Sequence, residues 1–230
     1  LLSSLTFAAT YAVNGTGNSC FAGAAGNFST IQSAVNAAAD GDTVIVCANG
    51  SSAYTENVNV IRSLNLYGNQ TRLLVTAVNI SAPVFRVNTT YVNITNFTLS
   101  GATSSMGIWL NQTSGYVRIF NVNLTNNSRG VYTYTSSNNN ISGNFFSNIS
   151  DYGINLDTSS NGNRVENNTI VHSGGSGGGI HIGQAHNNTI ILNTVFNGTN
   201  WNMFTSLAHN NTIVNNTFNT SIYGVILQSS

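Results

Sequence analysis

Charged side chains are what this chain of 230 residues lacks most. It contains no Lys, six Arg and six acidic residues, so that 5% of its residues are charged, against about 25% in ordinary globular proteins. Such a composition excludes the basic footprint of a nucleic-acid-binding protein. No run approaches the ~18 consecutive apolar residues of a membrane-spanning helix, so we expect no membrane span and no nucleic-acid partner.

Asparagine is abundant, and much of it stands in Asn-x-Ser/Thr sequons. The chain has nineteen sequons among 39 Asn, where the frequency of Ser and Thr would give about nine by chance. We interpret the excess as N-glycosylation of a secreted protein, since glycans would supply the hydration that charges do not. The alternative is that Asn and Thr simply suit β-turns. The predicted acceptors are Asn14, Asn27, Asn49, Asn69, Asn79, Asn88, Asn93, Asn96, Asn111, Asn123, Asn126, Asn140, Asn148, Asn167, Asn187, Asn197, Asn210, Asn215 and Asn219.

The first residue of the chain is also consistent with secretion. It begins without Met, which removal of a signal peptide would explain. We therefore expect an extracellular or cell-surface protein. The absence of Lys and the charge-poor surface also lead us to expect an archaeal source from a hot or acidic setting.

Two short signatures recur in phase about every 22–26 residues. One is an Asn-Asn-Thr-Ile type of segment, and the other is Gly followed by an apolar residue. The second signature stands at Gly107, Gly130, Gly153, Gly179 and Gly224, with Asn202 in the one missing slot. A period of about 23 residues is too short for a helix pair, and the segments are β-branched and almost free of Pro. Each repeat therefore predicts one coil of a parallel β-solenoid.

Residues at matching positions of such coils stack in columns ~4.8 Å apart. Two columns are apolar or small in every repeat, and alternation places both inside. They are Ile108, Val131, Ile154, Ile180, Met203 and Val225, and Leu110, Thr133, Leu156, Ile182, Thr205 and Leu227. A further column predicts an inward Asn ladder bonded along the stack. It contains Asn144, Asn168, Asn193 and Asn216.

The column between the two apolar ones must face outward. It contains Trp109, Tyr132, Asn155, His181, Phe204 and Ile226, and further aromatics precede the Gly slot at Tyr152, Trp201 and Tyr223. This stripe would stack on a polysaccharide, pack against another protein segment or lie under the protein's own glycans. The alternative is a set of scattered surface aromatics.

The segment before the first coils carries a family resemblance. Residues 28–42 predict a short helix with Ser29 as N-cap, and Thr43-Val44-Ile45-Val46-Cys47 predicts a buried strand. The order Thr-Ile-Gln, Ala-Val, Gly-Asp-Thr-Val and then Tyr54 to Val60 resembles the N-terminal cap and first coils of the pectin-lyase-like superfamily. That resemblance implies an all-β fold: a right-handed single-stranded parallel β-helix of about eight coils with a short N-terminal capping α-helix. The expected parts are an arm at 1–16, the cap at 17–42 and the β-helix at 43–230.

Cys20 and Cys47 are the only cysteines. One flanks the cap and the other ends the first strand, which predicts a disulfide in an oxidising compartment. Such a bond would contribute about 3–4 kcal/mol in the chain-entropy model. A metal pair is the alternative, but two Cys without a nearby His or third thiol make a poor site. We expect no metal and no cofactor.

Catalytic chemistry on polysaccharides needs clustered carboxylates, and the six acids here do not form a recognisable set. Motifs of the superfamily's polygalacturonases and alginate epimerases are present only as fragments, and the esterase pattern is missing. Asp157, His181 and Arg164 are the one set that adjacent coils would bring together, whereas His172, His186 and His209 are predicted in surface turns. An enzyme should leave one carboxylate-bearing face free of sequons, and here they fall at several coil positions. We therefore predict no catalytic residues and no enzyme.

The function predicted from these features is structural. Residues 1–14 alternate like a strand but have no slot in the repeat, and the C-terminal coil has no cap. We therefore expect a head-to-tail homopolymeric filament in which the arm of one subunit adds as a strand to the next. The alternatives are an arm folded over its own aromatic stripe, and a secreted polysaccharide-binding or polysaccharide-modifying protein. The predicted subunit-interface residues are Leu5, Phe7, Tyr11 and Val13 in the arm, and Trp109, Tyr132, Phe204 and Ile226 in the stripe.

Overall fold

The computed structural model describes residues 8–15, 20–50, 53–70, 73–112, 114–173, 177–219 and 221–228. Within these ranges it contains one short helix and 26 strands. In chain order the elements are β1 (Thr10–Val13), β2 (Gly26–Phe28), α1 (Ile31–Ala37), β3 (Thr43–Val46), β4 (Tyr54–Thr55), β5 (Val58–Val60), β6 (Asn65–Gly68), β7 (Leu73–Thr76), β8 (Phe85–Val87), β9 (Asn93–Thr95), β10 (Phe97–Ser100), β11 (Met106–Leu110), β12 (Arg118–Phe120), β13 (Asn123–Thr125), β14 (Arg129–Tyr134), β15 (Asn140–Ser142), β16 (Phe145–Ile149), β17 (Ile154–Asp157), β18 (Arg164–Glu166), β19 (Thr169–Ser173), β20 (Ile180–Gly183), β21 (Thr189–Ile191), β22 (Thr194–Phe196), β23 (Trp201–Ser206), β24 (Thr212–Val214), β25 (Thr217–Asn219) and β26 (Tyr223–Gln228).

Three parallel sheets run along the molecule, and each coil gives one strand to each. Sheet I has the order β2-β1-β3-β6-β9-β12-β15-β18-β21-β24, sheet II runs from β4 to β25, and sheet III runs from β5 to β26. The coils from β3–β5 to β24–β26 number eight. The predicted right-handed parallel β-helix of about eight coils is confirmed.

The predicted columns are confirmed in register, and their members are buried except in the last coil, where Val225 is 42% and Leu227 is 69% exposed. Ile108, Val131, Ile154, Ile180 and Met203 pair in register in sheet III, and all five are 0% exposed. The column of Leu110 and Leu156 is buried in the same way. Because sheet III turns these residues inward, the alternate residues of the same strands face outward.

The corner between sheets I and II holds the predicted Asn ladder. The side-chain amide of Asn144 donates to Asn168 Oδ1 at 3.0 Å, that of Asn168 to Asn193 Oδ1 at 2.9 Å, and that of Asn193 to Asn216 Oδ1 at 2.9 Å. In all four of these coils the preceding residue has a positive φ and lies outside the ladder, as Asn167 does at 51°. A second ladder, which the sequence pattern did not predict, lies at the corner before sheet I and contains Asn139, Asn163, Asn188 and Asn211.

The N-terminal arm has a place in the chain's own sheet. Strand β1 pairs with β2 on one side and β3 on the other, with Tyr11 opposite Val44 and Val13 opposite Val46. Val13 is fully buried, and Tyr11 packs edge-on against Phe28 with ring centroids 5.8 Å apart. The prediction of a free arm without a slot is therefore wrong for this segment, and so is the alternative in which the arm covers the aromatic stripe. Leu5 and Phe7 lie outside the described residues.

Helix α1 lies at the predicted position, but its N-cap residue differs from the predicted one. Thr30, not Ser29, is the N-cap, and its hydroxyl accepts a hydrogen bond from the Ser33 N–H at 3.2 Å. Glu56 adds a second cap from the first coil, because its carboxylate accepts from the N–H groups of Ile31 at 2.9 Å and Gln32 at 3.0 Å. The predicted domain boundaries at residues 16 and 42 stay a prediction.

The disulfide between Cys20 and Cys47 is present, as predicted, and joins the segment before α1 to the end of β3. No helix in the described part of the chain is long and apolar enough to cross a membrane.

Candidate functional site

The outer face of sheet III carries a continuous row of large side chains. Register places Arg86, Trp109, Tyr132, Asn155, His181, Phe204 and Ile226 in one column, which confirms the predicted order and adds Arg86. The Arg86 guanidinium lies 3.9 Å from the centroid of the Trp109 ring. The Trp109 and Tyr132 ring centroids are 6.3 Å apart. This face therefore begins with two tilted rings and a cation over the first of them.

A second group of side chains flanks the middle of the row. Arg129 Nε is 2.8 Å from Asp151 Oδ2, and its guanidinium lies 5.0 Å from the Tyr132 ring centroid and 5.7 Å from that of Tyr152. The Tyr152 ring stacks on His181 with centroids 4.8 Å apart. Arg129 is thus held between a carboxylate and two aromatic rings.

The C-terminal part of the row is an aromatic stack around His181. Its ring lies between Tyr152 and Phe204, whose centroid is 5.4 Å away at an interplanar angle of 9°. Trp201 tilts against Phe204 at 5.2 Å. His181 Nδ1 is 2.9 Å from Asn155 Oδ1. Because an amide oxygen only accepts, Nδ1 carries the hydrogen and Nε2 keeps its lone pair.

Asp157 and His181 flank the same small space over Gly183. A Cβ atom added to Gly183 would lie 3.2 Å from Asp157 Oδ1 and 3.5 Å from His181 Nε2. Asp157 also accepts hydrogen bonds from the Tyr132 hydroxyl at 3.2 Å and the Thr158 N–H at 2.9 Å. A carboxylate and an imidazole therefore face one point, an arrangement that can bind a hydroxyl or take up a proton.

Arg164 does not join this pair, contrary to the sequence-based set. It lies on sheet I, where it makes a bidentate contact with Glu166 at 2.6 and 2.7 Å. The cation beside the site is Arg129 instead. Sequence reasoning missed both Arg86 and Arg129: the coil of Arg86 has no repeated Gly, and Arg129 directly precedes Gly130 in a slot where only the aromatic residues stood out.

Burial changes the proton affinity of three rings on this face. It raises the pKa of Tyr132 to about 12, with the Asp157 charge adding to the effect. It raises the pKa of Tyr152 as well, helped by Asp151. Burial lowers the pKa of His181, although Asp157 opposes the shift. Near neutral pH both tyrosines therefore carry their protons and His181 is uncharged.

We expect the stability of the protein to fall in acid partly because of His181. A lowered folded-state pKa means that below pH ~6.5 the unfolded chain binds a proton that the folded chain does not. This contribution is present above that pH and is lost as the pH falls. Urea unfolding at pH 5 and pH 7.5 should show a smaller difference in His181→Phe, which keeps the ring stack, than in the wild type. A His181 imidazole that titrates at or above pH ~6.5 by NMR would contradict this expectation.

The remaining histidines do not form part of the face. His186 and His209 stack at the corner after sheet III with ring centroids 5.2 Å apart, and the His209 N–H donates to His186 Nδ1 at 3.0 Å. His172 lies in β19, not in a turn as predicted, and its side chain is outside the description.

The sequons are distributed unevenly around the coil. None of the nineteen sequon Asn is buried, while the ladder residues Asn144, Asn168 and Asn193 are. Strands of sheet I contain Asn27, Asn93 and Asn140, and strands of sheet II contain Asn123, Asn148 and Asn219. None of the eight described strands of sheet III contains a sequon; Asn88 and Asn111 directly follow β8 and β11. The sequons fall at several coil positions, as expected, but the described strands of sheet III beside Asp151 and Asp157 contain none.

A sequence model of the family described as "Periplasmic copper-binding protein (NosD)" matches residues 35–229. The chain belongs to the NosD family. No curated protein matches it in sequence.

The described residues of this NosD-family chain do not fit a copper centre. Copper sites use clustered thiolate, thioether or imidazole ligands. No three His, Cys, Asp or Glu side chains come together in the described ranges, and both cysteines are in the disulfide. The Met203 sulfur is in the core, and the rings of His186 and His209 lie parallel at 11°, so their nitrogens do not converge.

Solved structures resemble the chain in fold. A pectate lyase has a TM-score of 0.62 at 12% identity, over 99% of this chain and 78% of the other. An alginate lyase from Paenibacillus sp. has a TM-score of 0.54 at 12% identity, over 96% and 98%. The A-module of a mannuronan C-5 epimerase from Azotobacter vinelandii has a TM-score of 0.53 at 17% identity, over 86% and 74%. Identities this low show the parallel β-helix and nothing about activity.

The predicted structural filament subunit is wrong. Its donor strand is occupied within the chain's own sheet I, where β1 lies between β2 and β3.

Proposed function

We propose that this protein is an extracytoplasmic polysaccharide-binding β-helix that holds a glycan chain along the outer face of sheet III. The observation that carries the proposal is the aromatic and Arg row on the one sheet whose strands contain no sequon. The half-buried rings of the row offer apolar surface to successive pyranose units, and side chains beside them offer hydrogen bonds. The disulfide between Cys20 and Cys47 supports a location outside the reducing cytoplasm.

Unpaired donors on the same face support a ligand rich in hydroxyl groups. Arg86 Nε, Trp109 Nε1 and Trp201 Nε1 are buried and have no hydrogen-bond partner among the described residues. Buried donors are rarely left unpaired in folded proteins. Small shifts of these side chains toward a bound sugar would satisfy them.

Glycans on the other two sheets complete the proposal. The sequons of sheets I and II and of the corners would carry sugars that hydrate a charge-poor surface, leaving sheet III open. This distribution gives the molecule one binding face and two hydrated faces.

The test is a binding measurement on the bare protein with polygalacturonate, alginate and dextran as probes. We expect at least one of them to bind, and the double substitution Trp109→Ala with Phe204→Ala to weaken its Kd about tenfold or more. Phe120→Ala, which removes a comparably exposed ring from sheet I, is the matched control and should leave Kd unchanged. Equal Kd values for the two variants would contradict the proposal, provided that both unfold at the wild-type temperature.

Chemical modification of the bound polysaccharide is a second candidate function. It is favoured by the pairing of the uncharged His181 with Asp157 over Gly183, which provides an acceptor for a sugar proton. Incubation with the polysaccharide that binds, followed by mass spectrometry and NMR of the sugar, should show a product that the His181→Phe protein does not form. An unchanged polysaccharide would leave binding as the function.

A further inference from the structure

Two tyrosines form an isolated exposed stack at the corner between sheets III and I. Tyr91 is 64% and Tyr116 is 55% exposed, and their rings lie nearly parallel, at 8°, with centroids 5.1 Å apart. Their backbones are fixed by bonds to the next coil, from Tyr91 N–H to Gly115 O at 3.1 Å and from Tyr116 N–H to Ser137 O at 3.3 Å. The pair is therefore a rigid aromatic platform in solvent.

The backbone at this corner is unfavourable for tyrosine. Tyr91 has φ 56° and Tyr116 has φ 55°. The equivalent residues of the next four coils have the same conformation and are Asn138, Gly162, Asn187 and Asn210. Asn and Gly tolerate a left-handed backbone, whereas a bulky side chain there is strained. Strained residues of this kind persist where a function needs them.

Sequons surround the platform. Asn88 begins a sequon three residues before Tyr91, Asn93 begins one two residues after it, and Asn111 begins one five residues before Tyr116. None of these three Asn is buried, and the amide of Asn111 donates to Asn88 Oδ1 at 2.9 Å. One amide hydrogen of Asn111 is thus engaged, which leaves the other position for a sugar.

The association is specific to these two coils. The fourth and fifth coils have neither a tyrosine at this corner nor a sequon ahead of it, and the two coils after them place the sequon residues Asn187 and Asn210 at the strained position itself. Tyrosine therefore occurs at this position only where a sequon directly precedes it on the same corner.

We propose that the Tyr91–Tyr116 pair is the docking platform for the protein's own N-glycan, attached at a flanking sequon among Asn88, Asn93 and Asn111. The inference rests on the glycosylation part of the proposed function. A pyranose ring placed on the platform covers exposed aromatic surface without a separate binding partner, and its tether makes the contact intramolecular. Stacking holds the first sugars against the corner and keeps the glycan away from sheet III.

The experiment compares glycosylated and enzymatically deglycosylated protein, with peptide mass spectrometry reporting occupancy of the three sequons. The variant is Tyr91→Asn with Tyr116→Asn, which suits a positive φ and creates no new sequon. We expect deglycosylation to lower the Tm of the wild type, and the shift in the variant to be about half of that or less. The bare variant should unfold no earlier than the bare wild type, because strain is relieved.

Loss of single sequons identifies the tethered glycan. Thr90→Val, Thr95→Val and Thr113→Val each remove one flanking sequon while keeping its Asn, and one of them should reproduce the loss of stabilisation. Thr169→Val removes the distant Asn167 sequon as the control. Equal deglycosylation shifts in the wild type and the tyrosine variant overturn the proposal.

Two other results also overturn it and leave the polysaccharide-binding test on sheet III unaffected. One is the absence of sugar from all three flanking sequons. The other is binding of free dextran or alginate to the bare protein that depends on Tyr91 and Tyr116, which would make the pair a site for external ligands.

Discussion

Replacing Gly130 by Ala should destabilise the protein by about 3 kcal/mol, which for a chain of this length lowers Tm by roughly 6–12 °C. A Cβ at Gly130 would lie 2.3 Å from the Gly153 carbonyl oxygen and 2.4 Å from a ring atom of the buried Phe146. The Gly153 carbonyl oxygen belongs to the backbone of the next coil, which the pairing of parallel strands holds in place. It therefore cannot move away as the end of a flexible side chain could. The cost arises from contact between coils, since the backbone of Gly130 does not adopt a positive φ.

Gly224 is the matched control for this substitution. It occupies the same repeat position in the last coil, where an added Cβ meets nothing within 4 Å. Gly224→Ala should therefore leave Tm unchanged or raise it slightly, because Ala restricts the unfolded chain. Thermal unfolding of both variants by circular dichroism is the measurement. A similar Tm for the two would show that the repeated glycine is retained for another reason than the approach of the next coil.

The same contact explains why the repeat could be found in the sequence. Gly107, Gly153 and Gly179 each have a carbonyl oxygen of the next coil within 3.1 Å of an added Cβ. In these coils and in that of Gly130, the absence of a side chain leaves room for this approach, so Gly recurs in the sequence about every 22–26 residues, whereas Asn202 occupies the slot in the seventh coil. Columns of inward residues and the first Asn ladder follow from the same periodicity, and all were predictable.

What lies outside the period was not predictable. Strand β1 belongs to sheet I because it pairs with β3, which lies about 30 residues later in the chain. No position of the repeat predicts this pairing. The cation beside Asp157 and His181 was misassigned for a related reason. Corner lengths vary between coils, so spacing alone does not show that Arg164 lies on sheet I while Arg129 lies on sheet III. The sequon-free face also became visible only when strands were assigned to sheets.

The face of sheet III differs from the ladders in how it is stabilised. Its rings and ion pair are half exposed, so a substitution there changes mainly the surface presented to a ligand. Six of the eight ladder residues are buried, and the ladder hydrogen bonds join each of these coils to the next. Substitutions on the face of sheet III should therefore change ligand binding, and substitutions in the Asn ladders should change stability.

Removing one ladder residue, by Asn168→Ala, should cost about 2–4 kcal/mol. Asn168 is 1% exposed. Its Oδ1 accepts from both the N–H and the amide group of Asn144 at 3.0 Å, and its own amide donates to Ile141 O at 2.8 Å and Asn193 Oδ1 at 2.9 Å. Alanine removes these four bonds and leaves the Asn144 N–H buried without its partner, which is costly. Asn193 Oδ1 keeps the bond from the N–H of residue 168 at 3.0 Å, and the Asn144 amide keeps its bond to Ile119 O at 3.0 Å.

The neighbouring Asn167 provides the comparison, because it is exposed and has φ 51°. Asn167→Gly keeps that backbone conformation available and should change the free energy of unfolding by only a few tenths of a kcal/mol. Urea unfolding of the bare proteins, free of any sugar at the Asn167 sequon, measures both. If the two substitutions have equal unfolding midpoints, the ladder contributes no more than a surface turn does. The larger loss is expected for Asn168 because each of its hydrogen bonds joins one coil to the next, where no water replaces the missing partner.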